Sequence, residues 1–147
     1  MKQVQKILCA VDFSEFSPSV AETAKTMANA FGAEIVVLYA APSLSQYVGF
    51  HVPPTSIENF VGEIVTGAEK SMDNFLSEHF EGVKATGKVA TGYAAEEILK
   101  VAKDEKADMI VMGTHGRTGI DLILFGSVAE KVVKSSPIPV LTVRPGK

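Results

Sequence analysis

Apolar positions along the chain fall into two periodicities that alternate from one end to the other. Five short runs have strand character: Ile7-Leu8-Cys9-Ala10-Val11 ending at Asp12, Glu34 to Tyr39, a stretch near Lys84 to Ala90, Met109 to Met112, and Val140 to Val143. The first, second and fourth are apolar almost throughout. Strands buried on both faces read this way, which predicts a parallel sheet with helices above and below. Between the runs the spacing is helical. Phe16, Val20, Ala24, Met27, Ala28 and Phe31 fall on one stripe, with Ser17 as N-cap, Pro18 in the first turn and Gly32 as the stop. Ile57, Phe60, Val61, Ile64, Val65, Ala68, Met72, Phe75 and Leu76 form a longer stripe, opened by a Thr55/Glu58 capping box. Ala95, Ile98, Leu99 and Ala102 mark a third helix, and Ala129, Val132 and Val133 a fourth. The order β-α-β-α-β-α-β-α-β predicts one doubly wound α/β domain over residues 1–147. The segment from Ala41 to Pro54, with three prolines and little periodicity, is the one long loop.

Composition narrows the function classes. The 147 residues are 46% hydrophobic and 21% charged, enough for a core and unlike a disordered chain. Fourteen Lys and Arg against seventeen Asp and Glu give a net charge of -3, which argues against a nucleic-acid surface. A single cysteine excludes an internal disulfide and a Cys-based zinc site. No apolar run approaches the ~20 residues of a membrane span. The run ending at Asp12 is short for a secretory signal, so the expected location is cytoplasmic.

The chemistry concentrates after the fourth strand, in Gly113-Thr114-His115-Gly116-Arg117-Thr118-Gly119 and then Gly126-Ser127-Val128-Ala129-Glu130. Ligands of open α/β sheets bind beyond the carboxyl ends of the strands. Glycines there let backbone N–H groups approach an anion and adopt positive φ. A helix starting at Ser127 aims its positive dipole end at the same place, a cradle suited to phosphate. The same glycines also serve plain turns, and Ser127 with Glu130 makes a capping box, so both uses stay open on spacing alone. The P-loop pattern is absent, as is a dinucleotide fingerprint after the first strand.

These residues resemble the universal stress proteins, specifically their ATP-binding branch with its G-x2-G-x9-G-S/T motif. Gly113, Gly116, Gly126 and Ser127 stand at that spacing. The opening Val11-Asp12-Phe13-Ser14 and the ending Ser136-Pro137-Ile138-Pro139-Val140-Leu141-Thr142-Val143 are similar to the family's chain ends. The resemblance implies a five-stranded parallel sheet of order 3-2-1-4-5 with ATP at the carboxyl ends of the first and fourth strands. It implies that Ala10, Val11 and Asp12 line the site and that Ala40 meets adenine through its backbone. Met112, Gly113, His115, Gly116 and Arg117 would surround ribose and phosphates, and Gly126, Ser127 and Val128 would complete the phosphate cradle. It further implies a homodimer through the fifth strand.

Asp12 is a turn former, a ribose acceptor or, through Mg²⁺ on the phosphates, a metal ligand; no metal site built from protein alone is expected. His115 is a phosphate donor, a proton carrier or a solvent-facing residue. Arg117 is a phosphate contact or a solvated charge. His51 and His79 are expected to face solvent, and Cys9 to act as a small hydrophobe. The leading expectation is an ATP-binding regulatory switch in a stress response, acting on itself or on a protein partner. The alternatives are a slow ATP hydrolase or phosphoryl-transfer enzyme, which lacks a Walker lysine and an evident water-positioning base, and a dimerising scaffold without nucleotide.

Overall fold

The computed structural model describes residues 3–41, 54–115 and 126–144, with side chains in 54–61 left aside. Five strands are β1 (Lys6–Ala10), β2 (Glu34–Ala41), β3 (Ala85–Thr91), β4 (Met109–Gly113) and β5 (Val140–Val143). Four helices are α1 (Ser17–Phe31), α2 (Pro54–His79), α3 (Ala94–Asp104) and α4 (Ser127–Ser135). The strands form one all-parallel sheet of order β3-β2-β1-β4-β5.

The near-continuous apolar runs are explained by a core on each face. Ile7, Cys9, Val11, Ile35, Val37, Met109 and Val111 join Val20, Ala24, Ala28, Met72 and Phe75 of α1 and α2. The alternate residues Leu8, Ala10, Val36, Leu38, Ile110 and Met112 join Ile98, Val101, Ala129 and Val132 of α3 and α4. The period of two along each strand sends neighbours to opposite faces, so a central strand needs apolar residues at every position. The edge strand β3 is mostly exposed, and it has the weakest hydrophobic signal in the sequence.

The strand order reverses across the parallel β1–β4 pair, where Ala10 lies opposite Met112. β1 leads outward to β2 and β3, and β4 to β5, so the two loops diverge and leave a crevice between them. α1 begins one residue away from the expected cap: Phe16 is the N-cap, and the Ser17 side chain makes no capping bond. The Ser17 hydroxyl instead reaches Asp12. Gly32 closes α1 at φ 65°, the left-handed geometry expected of a stop glycine. α2 begins at Pro54, so Thr55 lies inside the helix and not at the N-cap expected of it, and most of the predicted loop, residues 42–53, lies outside the described residues. No described helix is long and apolar enough to cross a membrane.

Candidate functional site

At the end of β1, Val11 N–H donates to Leu38 O at 2.9 Å and holds the strand end against β2. Asp12 then closes a tight turn. Its Oδ1 accepts from Ser14 N–H at 2.9 Å and from the Ser17 hydroxyl at 3.1 Å. Phe13 between them has φ 58°, a conformation that is costly for a bulky residue. Its ring packs 4.7 Å from Tyr39 and 5.7 Å from Phe75, contacts that offset the strain. The turn role for Asp12 is thus realised at one carboxylate oxygen, and the same residue lines the crevice.

At the end of β4, Thr114 N–H donates to Val143 O at 3.0 Å, and Thr114 O accepts from Gly126 N–H at 2.8 Å. These bonds place the start of α4 against the end of β4. Gly126 is the N-cap, with φ -71°, and no side chain among the described residues caps the helix. The expected Ser127/Glu130 capping box does not form, because Ser127 is already inside the helix. The Glu130 carboxylate turns to Lys134 at 2.8 Å, whose hydrogen bond and charge hold it below its ordinary pKa. The early N–H groups of α4 therefore meet the crevice without a side-chain cap.

Gly113 and Gly126 are crowded for a different reason from the one expected. Neither Gly113 nor Gly126 has positive φ. A Cβ on Gly126 would lie 3.0 Å from Thr114 O, and one on Gly113 would lie 3.2 Å from His115 O and 3.3 Å from Val20 Cγ2. Close approach of neighbouring atoms, chiefly backbone carbonyls, and not left-handed geometry, crowds a side chain there.

The two loops bound a cleft of about 260 Å³. Ala10, Val11, Asp12, Ala40, Met112, Gly113, His115, Gly126, Ser127 and Val128 all line it. Gly116 and Arg117 lie outside the described residues. The sequence reading missed Thr114, Ser17 and Tyr39, and also Ala94 and Ile98 from the start of α3. Ala94 and Ile98 carry only the ordinary helical stripe, so no local signal marks them. Ala10, Ala40, Ala94 and Ala129 make much of the wall small and apolar, a surface on which a flat ring can lie. Among the described lining residues no lysine or arginine occurs. The groups these residues could offer an anion are backbone N–H groups, hydroxyls, the α4 dipole and His115.

His79, expected in solvent, is instead half-buried, its ring 4.5 Å from Phe75. The contact lies within α2, where Phe75 stands one turn before His79 and faces the core. His51 lies outside the described residues. Cys9 is fully buried, and desolvation pushes its thiol from 9.0 up to about 12, so it stays protonated. No cluster of potential metal ligands occurs among the described residues.

A doubly wound parallel sheet with a glycine-bounded cleft at its switch point defines a class of α/β domains whose ligands, where they have them, sit in that crevice. Within that class, the model of the universal stress protein family matches residues 3–144, and the chain belongs to that family. Universal stress protein MJ0531 of Methanocaldococcus jannaschii is 37% identical, over 97% of this chain and 84% of its own. Universal stress protein MJ0577 of the same organism is 33% identical, over 95% of this chain and 94% of its own. The solved structure of MJ0577 superposes with a TM-score of 0.81 over 99% of both chains. A universal stress protein from Archaeoglobus fulgidus, solved in complex with dAMP, is 21% identical with a TM-score of 0.67, over 97% of this chain and 98% of its own.

Proposed function

We propose that the cleft holds an adenine nucleotide, ATP foremost, and that the protein is a nucleotide-dependent regulatory module in a stress response, folded as one domain. The observation that carries this reading is convergence. Ten residues drawn from four separate stretches of sequence line one cleft, where the uncapped start of α4 faces the end of β1. The small apolar wall near Ala10, Ala40 and Ala94 suits a purine. The backbone donors of Ser127 and Val128 suit phosphate. The dAMP complex of the Archaeoglobus relative supports an adenine nucleotide as ligand class.

Within this reading, the Asp12 carboxylate, fixed through Oδ1, accepts from ribose hydroxyls or meets Mg²⁺ carried on the phosphates. His115 donates to the ligand's oxygens, and Gly116 and Arg117 complete the phosphate loop. The lack of lysine among the described lining residues favours holding the nucleotide over rapid transfer of its phosphoryl group.

The reading includes a homodimer through β5, an edge strand of the sheet. The carbonyls of Pro139 and Val143 accept from Ile110 and Thr114 of the β4 stretch. By the period of two, residues 139, 141 and 143 turn their backbone groups toward β4. Val140 and Thr142 turn theirs toward the open edge, where a second copy would pair about a two-fold axis.

The deciding experiment is to denature purified protein and identify any released nucleotide by chromatography and mass spectrometry, with calorimetric titration of ATP into stripped protein. Binding of ATP at micromolar concentration or below is expected. A stripped, folded protein that binds neither ATP nor AMP would overturn the reading.

A further inference from the structure

Two non-glycine residues among the described ones have positive φ, Phe13 at 58° and Lys106 at 55°. Lys106 follows the end of α3, and its N–H donates to Lys103 O at 3.1 Å, an ordinary setting for such a backbone. Phe13 stands at no helix end. It lies between β1 and α1, in the turn where Asp12 Oδ1 accepts from Ser14 N–H. The residue after the aspartate in such a turn, when its φ is positive, holds a place that favours glycine or asparagine. A bulky side chain there is costly.

That conformation divides the side chains of the turn. Asp12 and Ser14 line the cleft, and Phe13 does not. The Phe13 ring joins the core formed with α1 and α2, against Tyr39 of β2 and Phe75 of α2. Phe75 is held in turn by His79 and Phe80, at ring separations of 4.5 and 6.0 Å. On the cleft side the turn is fixed by hydrogen bonds, from Ser14 N–H and the Ser17 hydroxyl to Asp12. On the core side it is fixed by the ring, which ties it to two other elements.

We propose that Phe13 is a positioning residue of the cleft. Its ring, clamped on the core side, holds the turn in a left-handed conformation that a non-glycine residue otherwise leaves, and so keeps Asp12 and Ser14 in the cleft wall before a ligand arrives. Strained residues persist where their surroundings over-determine them, and they pre-organise a site. The proposal rests on the nucleotide reading above. A wall already in place loses no affinity to a population of relaxed turns.

The test compares Phe13→Ala with Phe13→Gly. Both lose the ring, and they differ by one methyl group. Alanine keeps the cost of the left-handed conformation, whereas glycine adopts it freely. That cost corresponds to a roughly five- to thirty-fold depopulation of the turn. Calorimetry should therefore give ATP affinity weaker by about five-fold or more in Phe13→Ala, with most of the loss recovered in Phe13→Gly. A ring that served packing alone would leave the two variants equal in affinity, or glycine the weaker, and either result would refute the proposal. Wild-type affinity in a folded Phe13→Ala would refute it as well. A second arm needs no nucleotide. Amide hydrogen exchange at Ser14, followed by NMR, reports whether the bond to Asp12 is kept. Slow exchange is expected in wild type and Phe13→Gly, and fast exchange in Phe13→Ala. A wild-type Ser14 amide exchanging at the rate of an unstructured peptide would overturn the proposal without any variant. If wild type binds no nucleotide, the functional reading fails, and the exchange arm still decides whether Phe13 holds the turn.

Discussion

Replacing Gly126 by alanine adds one methyl group at the junction of the loop and α4. The new Cβ would lie 3.0 Å from the Thr114 carbonyl oxygen, about 0.4 Å inside the 3.4 Å at which ordinary contact begins. The obstacle is backbone, so no side-chain rotation relieves it. The same oxygen accepts the Gly126 N–H at 2.8 Å, and moving away lengthens that bond. Ala129 and Val132 are buried under α4 and resist a shift of the whole helix. Overpacking of this kind costs about 1–3 kcal/mol, so Tm should fall by roughly 3–10 °C for a chain of this size. In the proposed function the start of α4 also carries the phosphate donors. A hydrogen bond to a charged group contributes about 1.5–3 kcal/mol, and misaligning it by a few tenths of an ångström should lose about 1 kcal/mol, a roughly five-fold weaker Kd. Calorimetric titration of ATP and thermal melts on the same samples measure both effects. Gly67→Ala is the control. It sits on the exposed side of α2 with nothing within 4 Å of the new Cβ, so it should gain about 0.5–1 kcal/mol and leave affinity unchanged. A folded Gly126→Ala protein with wild-type affinity would refute the placing of phosphate at this helix start.

ATP at about 100 times its Kd should add about 2.7 kcal/mol and raise Tm by roughly 5–10 °C, read by differential scanning fluorimetry. Turnover of Mg-ATP, followed by phosphate release, should stay below about one per second, the lower end of ordinary enzyme rates; a faster rate would favour the enzymatic alternative. Thr142→Pro removes a donor that faces the open edge and should convert a dimer to a folded monomer in light scattering, whereas Val143→Pro should lower Tm by breaking the β4–β5 ladder. A monomeric wild type at micromolar concentration would end the dimer reading. Because the folded-state pKa of Cys9 lies above its unfolded value of 9.0, its stabilisation is complete below pH 9 and is lost as pH rises toward 12. Urea melts above pH 9 should therefore decline more steeply for wild type than for Cys9→Ala, and equal slopes would contradict the burial argument.

The sequence determined the elements and the side of the sheet where chemistry gathers. Ile7 to Val11 and Met109 to Met112 are apolar at successive positions, and only strands covered on both faces need that pattern. The glycines after β4 and the helix start beyond them lie close together in sequence, so local spacing was enough to find them. The order 3-2-1-4-5 came from the resemblance, because nothing in a strand's own residues names its neighbours. Tertiary structure decided how polar groups pair over long separations. Asp108 accepts from the backbone of Gln5 and Lys6 across the β1–β4 pair, and Thr114 meets Val143 twenty-nine residues away. It also decided what crowds a side chain at Gly126, which is the proximity of a carbonyl and not a dihedral angle. Ser17 left its expected cap for Asp12, and Ser127 lost its capping box to a helix that starts one residue earlier than the hydroxyl requires. Hydrophobic periodicity constrains which face a residue presents to the core. The direction of an N–H on β5 and the partners of the Thr114 backbone depend on what the folded chain brings beside them.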